Sequence, residues 1–272
     1  PMLLHLLDSV DALNPARKVV VVGDRADQIE AALAGSAALA VQEPQLGTGH
    51  AVQQAEAALS GFVGDVLILY GDVPFVRSVT MQSMLDRLNA PDAPAAVVLT
   101  FQPEDTLAYG RVLTEGDSIV RMVEHKDASE AERTCRRCNS GLMAVRSVDL
   151  FALLARVSND NASGEYYLPD IVNIALSDGR KAAVVDADPF EVAGINSRAE
   201  LAAMERIWQD RRRLQAMADG VSLTAPETVW FSYDTVLGRD VTIEPNVVFG
   251  PGVRVADGAV IHAFSHLQGA SV

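Results

Sequence analysis

An apolar residue recurs every six positions near the end of the chain, and this period constrains the fold more than any other feature. Neither an α-helix nor a β-strand has a six-residue repeat. The period is typical of hexapeptide coils, in which aliphatic side chains stack inside a triangular β-helix. We therefore expect residues 221–272 to begin a left-handed parallel β-helix, with three hexads per coil. The repeated residues are Leu237, Ile243, Phe249, Val255, Ile261 and Leu267, preceded two positions earlier by Thr235, Val241, Val247, Val253, Ala259 and Ser265.

A linker helix is expected immediately before these repeats, over residues 197–220. Ser197 and Glu200 have the spacing of a capping box, and Gly220 supplies a stop. The charged residues 210–213 are interpreted as a solvated face. The apolar stripe of this helix is predicted to consist of Leu201, Met204, Ile207 and Trp208.

The first part of the chain, residues 1–196, alternates between apolar runs and amphipathic segments. Such alternation predicts an α/β fold with a mostly parallel, doubly wound sheet. Ligands bind such sheets beyond the carboxyl ends of the strands. The expected strands are 18–23, 38–42, 65–70, 95–101, 111–113, 119–124, 141–145 and 182–185, and the expected helices are 26–33, 51–59, 80–89, 147–157 and 168–177.

The charge balance disfavours a nucleic-acid partner. Lys and Arg number 22 against 36 Asp and Glu, which gives a formal net charge of −14, whereas phosphate backbones are held by clustered cations. We find no apolar run long enough for a membrane span and no signal-peptide pattern, and therefore expect a cytoplasmic protein. The pair Cys135 and Cys138 is interpreted as incidental thiols, because no second pair completes a zinc site.

Two polar loops follow predicted strands. Asp72 comes directly after an apolar run, where a carboxylate could bind Mg²⁺ together with phosphate oxygens, or could simply open a turn before Pro74. Gln42 precedes a glycine-containing loop with Gly47, and its amide could pair with the edge of a base. His50, at a helix start, is interpreted as structural.

Polar residues further along the chain offer sugar contacts. Glu124 could accept hydrogen bonds from sugar hydroxyls, and Asn139 could bind a hydroxyl and an amide. A surface charge and a strand cap are the alternatives for these two residues. Asn196 could supply a second metal-compatible oxygen or begin the linker helix.

Taken in order, these segments strongly resemble the bacterial bifunctional N-acetylglucosamine-1-phosphate uridylyltransferase/glucosamine-1-phosphate acetyltransferase family. The resemblance runs along the whole chain. Its segments are Gln45-Leu46-Gly47-Thr48-Gly49-His50-Ala51, Leu69-Tyr70-Gly71-Asp72-Val73-Pro74, Tyr109-Gly110-Arg111, Val123-Glu124-His125-Lys126-Asp127-Ala128, Asn139-Ser140-Gly141, Gly164-Glu165-Tyr166-Tyr167 and Gly194-Ile195-Asn196-Ser197-Arg198.

The resemblance implies a Rossmann-like uridylyltransferase domain over residues 1–196 that joins UTP to N-acetylglucosamine 1-phosphate, with Mg²⁺ as cofactor. It also implies a homotrimer and, for the longer parent protein, acetyl transfer from acetyl-CoA. The implied nucleotide-binding residues are Gln42, Gly47, Thr48, Tyr70 and Gly71; the implied sugar-phosphate residues are Gly110, Glu124, Asn139 and Tyr167; and the implied metal ligands are Asp72, the one residue acting in catalysis, and Asn196.

The sequence departs from the family pattern at two places. The Gly-rich loop with which the family opens is absent, so we expect this chain alone to fold poorly and to be inactive or nearly so. Pro169 stands where the family typically has Thr, which removes a hydroxyl. Two alternatives stay open: another sugar-1-phosphate nucleotidylyltransferase, and a non-catalytic nucleotide-binding paralogue with a trimerising β-helix.

Overall fold

The computed structural model describes residues 2–24, 26–106 and 108–272, and it divides into two compact units, Pro1–Gly194 and Ile195–Val272. The first unit carries α1 to α7 and β1 to β8. The helices are α1 Met2–Asp11, α2 Ala26–Leu33, α3 Thr48–Gln53, α4 Ser78–Leu88, α5 Glu130–Arg133, α6 Ser147–Leu154 and α7 Asp170–Ser177. The strands are β1 Val19–Val22, β2 Ala38–Val41, β3 Asp65–Ile68, β4 Ala96–Phe101, β5 Arg111–Glu115, β6 Ser118–Val123, β7 Cys138–Arg146 and β8 Ala182–Asp186.

The strands of the first unit form a parallel pair, β1–β2, and a six-stranded sheet in the order β3-β7-β4-β8-β6-β5. Within the six-stranded sheet only the β4–β8 ladder is parallel, which corrects the expectation of a mostly parallel sheet. Two features cause the difference. The hairpin β5–β6 turns through Gly116 and Asp117, and so short a connection joins only antiparallel strands. Strand β7 lies between β3 and β4 and runs antiparallel to both.

Helices cover both faces of the six-stranded sheet. Strand β4 is buried along its whole length, and its alternate residues point to opposite faces. Ala96 and Val98 pack with α6 and α7, whereas Val97 and Leu99 pack with α4. This two-sided burial explains why β4 reads as a continuous apolar run, and it confirms the predicted doubly covered α/β arrangement.

The second unit begins with α8, Arg198–Ala218, and continues as a series of two-residue strands. Strands pair in parallel with a register of eighteen residues, as in Thr242↔Val260 and Val248↔His266, so three hexads make one coil as predicted. The strands are β9 Ser222–Leu223, β10 Val236–Leu237, β11 Thr242–Ile243, β12 Val248–Phe249, β13 Arg254–Val255, β14 Val260–Ile261 and β15 His266–Leu267, with a 3₁₀ turn at Pro226–Thr228. A positive φ also recurs every six residues, at Asp240, Asn246, Gly252, Gly258 and Phe264.

Helix α8 packs through a polar face, which corrects two expectations. The capping box is present, since Ser197 Oγ accepts from Glu200 N–H. However, Leu201 and Ile207 of the predicted apolar stripe are exposed. The buried positions are instead Gln209, Arg213 and Ala216.

The reason for this polar face is the backbone of the first β-helix coil. Gln209 donates to Phe231 O at 2.8 Å and accepts from Phe231 N at 2.9 Å, as a neighbouring strand would. Arg213 donates to Val229 O at 2.8 Å, and the Arg212 guanidinium lies over the Phe231 ring. The charged run is therefore partly buried, because its side chains satisfy main-chain groups that would otherwise have no partner.

Two further expectations concern thiols and membranes. Cys135 and Cys138 are both free thiols, and burial raises the pKa of Cys138, which disfavours a reactive thiolate. In the described part of the chain, none of the helices has the length and apolar character of a membrane span.

Candidate active site

The loop after β2 is fixed by the side chain of Gln42. Its Nε2 donates to the carbonyl oxygen of Gly47 at 2.9 Å and lies 3.1 Å from Nδ1 of His50. Its main-chain N–H donates to Val22 O at 2.7 Å, which holds the end of β2 beside β1. Gln42 is thus held in two ways: its main chain is bonded to Val22, and its side-chain amide, which is predicted to read a base, is bonded to Gly47.

The glycines of this loop allow it to lie against a distant segment. Gly47 has φ +115, and a Cβ there would be 2.7 Å from Tyr166 O, so no other residue fits without a backbone shift. Gly49 N–H donates to Tyr166 O at 2.8 Å, and Leu168 N–H donates to Thr48 Oγ1 at 3.0 Å. Predicted nucleotide and sugar segments therefore meet here.

Tyr70 lies between the nucleotide loop and β7. Its phenol is hydrogen-bonded to the hydroxyl of Thr48, and its ring lies where a side chain at Gly141 would have to be, since a Cβ there would be 2.3 Å from Tyr70 Cε2. Burial, with a smaller contribution from the charges of Glu124 and Asp72, raises the pKa of Tyr70 to about 12, although the bond with Thr48 lowers it. At neutral pH this phenol is therefore a neutral hydrogen-bonding group.

Asp72 follows β3 in a turn closed by Val73 N–H donating to Tyr70 O at 3.0 Å. It is half-buried, and among the described residues its carboxylate accepts no hydrogen bond. The end of this loop is held by Glu191, which is 1% exposed and accepts from Arg77 Nε at 2.8 Å and from Thr80 Oγ1 at 2.6 Å. Asp72 thus lies on a fixed loop with its oxygens available.

The sugar-binding candidates meet around Gly110. Asn139 N–H donates to Gly110 O at 2.9 Å, and Asn139 Oδ1 accepts from Gly141 N–H at 2.9 Å. A Cβ at Gly110 would be 3.2 Å from both carboxylate oxygens of Glu124. Gly110, Glu124 and Asn139, which lie on three different segments, are thereby brought into one neighbourhood.

A cleft of about 250 Å³ adjoins Glu124, and Tyr167, Pro169 and Asp170 also line it. Helix α7 is tied to β6 here, because Asn173 exchanges two hydrogen bonds with the main chain of Met122. Burial first, then the neighbouring carboxylates, raises the pKa of Glu124 and of Asp170. Because two carboxyl groups already line the cleft, it favours neutral hydroxyl and amide groups of a ligand over anionic ones.

The structure thus brings together all the predicted nucleotide and sugar residues except Gly71, which is exposed beside Asp72. Asn196 is exposed and belongs to the second unit, so its pairing with Asp72 stays a prediction. Among the described residues no three His, Cys, Asp or Glu side chains form a metal cluster. Mg²⁺ is characteristically held by one or two carboxylates with phosphate oxygens, and Asp72 offers a carboxylate of that kind.

Several residues at the site were not singled out from the sequence. In the sequence Gly141 is only one residue of a motif, and its φ of +85 and its contact with Tyr70 appear only in the fold. Asp170 and Tyr166 gave no signal of their own, because their roles depend on contacts across more than a hundred residues or across the cleft. Pro169, the departure from the family pattern, is buried and caps the start of α7.

Comparisons with known proteins agree with this fold. The MobA-like NTP transferase domain family matches residues 1–167, and bacterial transferase hexapeptide repeats match residues 234–269 as six repeats. A solved structure of a candidate glucose-1-phosphate thymidylyltransferase from Bacillus anthracis, in complex with sucrose, superposes with a TM-score of 0.58 at 14% identity. It covers 75% of this chain and 80% of its own, which supports the fold alone.

Relatives named bifunctional protein GlmU match along the chain. The Sphingopyxis alaskensis protein is 73% identical over 100% of this chain and 60% of its own length, and the Novosphingobium aromaticivorans protein is 71% identical over 92% and 56%. The Zymomonas mobilis protein is 54% identical over 100% and 61%. The chain thus spans about 60% of the length of these relatives. The chain belongs to the family of MobA-like NTP transferase domains, followed by bacterial transferase hexapeptide repeats, and its resemblance to bifunctional GlmU proteins is confirmed.

Proposed function

We propose that the first unit transfers a uridylyl group from UTP to N-acetylglucosamine 1-phosphate, giving UDP-N-acetylglucosamine and pyrophosphate. The observation that carries the proposal is the contact between the nucleotide loop and the sugar segments. Thr48 is hydrogen-bonded to Tyr70 and to the main chain at Leu168, next to Tyr167 of the cleft. The two predicted half-sites therefore adjoin, as a transfer between two substrates requires.

The reaction needs no protein base. An oxygen of the sugar phosphate, already an anion, attacks the α-phosphorus of UTP, and pyrophosphate leaves as the bond to the β-phosphate oxygen breaks. Tyr70, with its raised pKa, remains protonated and can position substrate without taking a proton. Alignment and charge neutralisation then account for catalysis.

The finer assignments follow from the same proposal. Gln42, Gly47 and Thr48 hold the uridine end, with Tyr70 and Gly71 beneath it, and Gly110, Glu124, Asn139 and Tyr167 hold the sugar phosphate. Asp72, with Asn196 as its predicted partner, binds Mg²⁺, which when bound offsets the repulsion between the anionic substrates.

The activity of the whole protein is part of the proposal. The GlmU relatives are named bifunctional, and hexapeptide repeats are present here. We infer that the longer protein also transfers an acetyl group from acetyl-CoA to glucosamine 1-phosphate, acts as a homotrimer and works in the cytoplasm. That the chain alone is inactive stays a prediction.

The test is pyrophosphate release in a protein of the relatives' full length that contains this chain. Wild type with UTP, N-acetylglucosamine 1-phosphate and Mg²⁺ should release pyrophosphate, and Asp72→Asn should lower kcat by about a hundredfold or more. Asp65→Asn is the matched control, because Asp65 lies at the opposite end of β3 and should retain activity. A folded wild type without release, or equal losses in both variants, would contradict the proposal.

A further inference from the structure

Arg111 is a buried charged residue that the proposed mechanism does not use. It begins β5 and is 2% exposed. Its guanidinium donates from Nη1 to the main-chain oxygen of Tyr109, and from Nη2 to Oγ1 of Thr106 at 2.9 Å. Burying a guanidinium is unfavourable unless its N–H groups are bonded, and an apolar side chain would fill a buried strand position more favourably. The acceptors that Arg111 binds therefore indicate its role.

Arg111 lies where the segments of three sugar-binding candidates meet. It is paired with the last residue of β6 and with the first residue of β7. Glu124 directly follows β6, Asn139 is the second residue of β7, and Gly110 directly precedes β5. Each candidate is thus one residue along the chain from Arg111 itself or from a strand partner of Arg111.

The bond to Tyr109 O fixes the direction of the N–H of Gly110. These two groups belong to one peptide unit, which is planar and trans, so its C=O and N–H point in opposite directions. The carbonyl oxygen of Gly110 is itself engaged, because it accepts from Asn139 N–H at 2.9 Å. The main-chain group that Gly110 offers to a ligand is therefore its N–H, and Arg111 sets the direction of that N–H from the other side of the peptide.

The charge of Arg111 also strengthens this donor. A hydrogen bond from a cation is roughly twice as strong as a neutral one, and hydrogen bonds in series polarise one another in a protein interior. The N–H of Gly110 is therefore a better donor to an oxygen of a bound sugar phosphate than the N–H of an unpolarised peptide would be.

We propose that Arg111 is a positioning residue for the sugar phosphate, and that it acts by orienting and polarising the peptide unit between Tyr109 and Gly110. The inference rests on the proposed function and adds a residue on which the affinity for the acceptor substrate depends. Arg111 does not touch the substrate in this account. UTP is bound through other segments, so the loss of the guanidinium should affect the sugar phosphate and not UTP.

The experiment measures KM for N-acetylglucosamine 1-phosphate and for UTP in the full-length protein, each with the other substrate saturating. A KM does not depend on the fraction of enzyme that is folded. Arg111→Met removes the guanidinium and should raise KM for the sugar phosphate by about tenfold or more, while KM for UTP stays within about twofold of wild type. Arg111→Lys keeps the charge but loses the two-point hold on Tyr109 and Thr106, so it should raise KM for the sugar phosphate by about threefold to tenfold.

Arg146→Met is the matched control. Arg146 ends β7, and its guanidinium also donates to two main-chain oxygens, those of Leu88 at 2.6 Å and Pro94 at 2.7 Å. It lies at the opposite end of β7 from Asn139. Its loss should therefore lower the melting temperature and leave both KM values within about twofold of wild type. If Arg111→Met does not fold, Arg111→Lys takes its place in the comparison.

Each outcome decides a different statement. An unchanged KM for the sugar phosphate in folded Arg111→Met, or in Arg111→Lys where it takes that place, overturns the inference while the proposed function stands. An equal rise in KM for both substrates, or the same rise in Arg146→Met, shows a general loss of structure and overturns the inference as well. A folded wild type that does not release pyrophosphate from UTP overturns both the inference and the proposed function.

Discussion

Replacing Gly47 by alanine tests the link between the nucleotide loop and the sugar segment. Gly47 has φ 115 and ψ 174, a region that is essentially restricted to glycine and costs another residue about 1–3 kcal/mol. The new Cβ would also lie 2.7 Å and 2.8 Å from the main-chain O and N of Tyr166. Because the main chain at Tyr166 would have to move, this overlap adds a further destabilisation of about 1–3 kcal/mol.

The expected loss of unfolding free energy is therefore about 2–6 kcal/mol, measured by urea unfolding with far-UV circular dichroism. Gly179→Ala is the matched control: its φ is +74, but nothing lies within 4 Å of its Cβ, so it should lose only about 1 kcal/mol. Hydrogen exchange should show the local cause, because Gly49 N–H and Tyr166 N–H bond across the two segments. Equal losses in the two variants, with these amides still protected, would refute the reasoning.

Three other changes give separate tests. Gln209→Leu leaves the main-chain N–H and C=O of Phe231 unpaired and should lower the unfolding free energy of the second unit by about 2–5 kcal/mol. Tryptophan fluorescence measures this unfolding, since both tryptophans lie in the second unit. An unchanged unfolding free energy would contradict the account of α8. Glu191→Gln weakens its bonds from Arg77 and should lower the stability of the first unit by about 1.5–3 kcal/mol in urea, whereas a loss near zero would show that Glu191 does not hold the Asp72 loop. The pKa of Glu124 is raised in the fold, so the native state binds a proton more tightly than the unfolded chain, and stability falls as pH rises above 4.5. Glu124→Gln should therefore raise the melting temperature at pH 7 but not below pH 4.5. An equal change in melting temperature at both pH values would contradict this account.

Local patterns in the sequence predicted the repeating part of the fold well. The hexad period placed the β-helix strands from β10 to β15, because a residue such as Ile243 or Phe249 must recur wherever the coil returns to its interior. Strands such as β1 and β4 were also predicted within about two residues, since long apolar runs between polar segments have few other solutions.

Features that depend on distant contacts were not predictable in this way. Helix α3 begins at Thr48 and ends at Gln53, rather than covering 51–59, because the glycine loop before it is held by the segment around Tyr166. Strand β7 runs antiparallel to β3 and β4, and this pairing depends on strands that are distant in the sequence. The polar face of α8 is set by the unpaired backbone of Phe231, which a hydrophobic pattern cannot reveal.

The candidate site shows the same difference between features that the sequence predicts and features that depend on distant contacts. The family resemblance indicates Gln42, Glu124 and Asn139. In the fold Gln42 contacts Gly47, and Glu124 and Asn139 lie beside Gly110. The contact between the His50 ring and the Gln42 amide appears only in the fold, because residue order carries no information about it.

The most direct test of the central claim is a comparison of four substrate pairs in the full-length protein. Pyrophosphate release is measured for UTP and dTTP, each with N-acetylglucosamine 1-phosphate and with glucose 1-phosphate. The account predicts that UTP with N-acetylglucosamine 1-phosphate has the highest kcat/KM, by about tenfold or more. A preference for glucose 1-phosphate would show a different sugar-1-phosphate nucleotidylyltransferase, and no release from any pair by the folded protein would contradict the account.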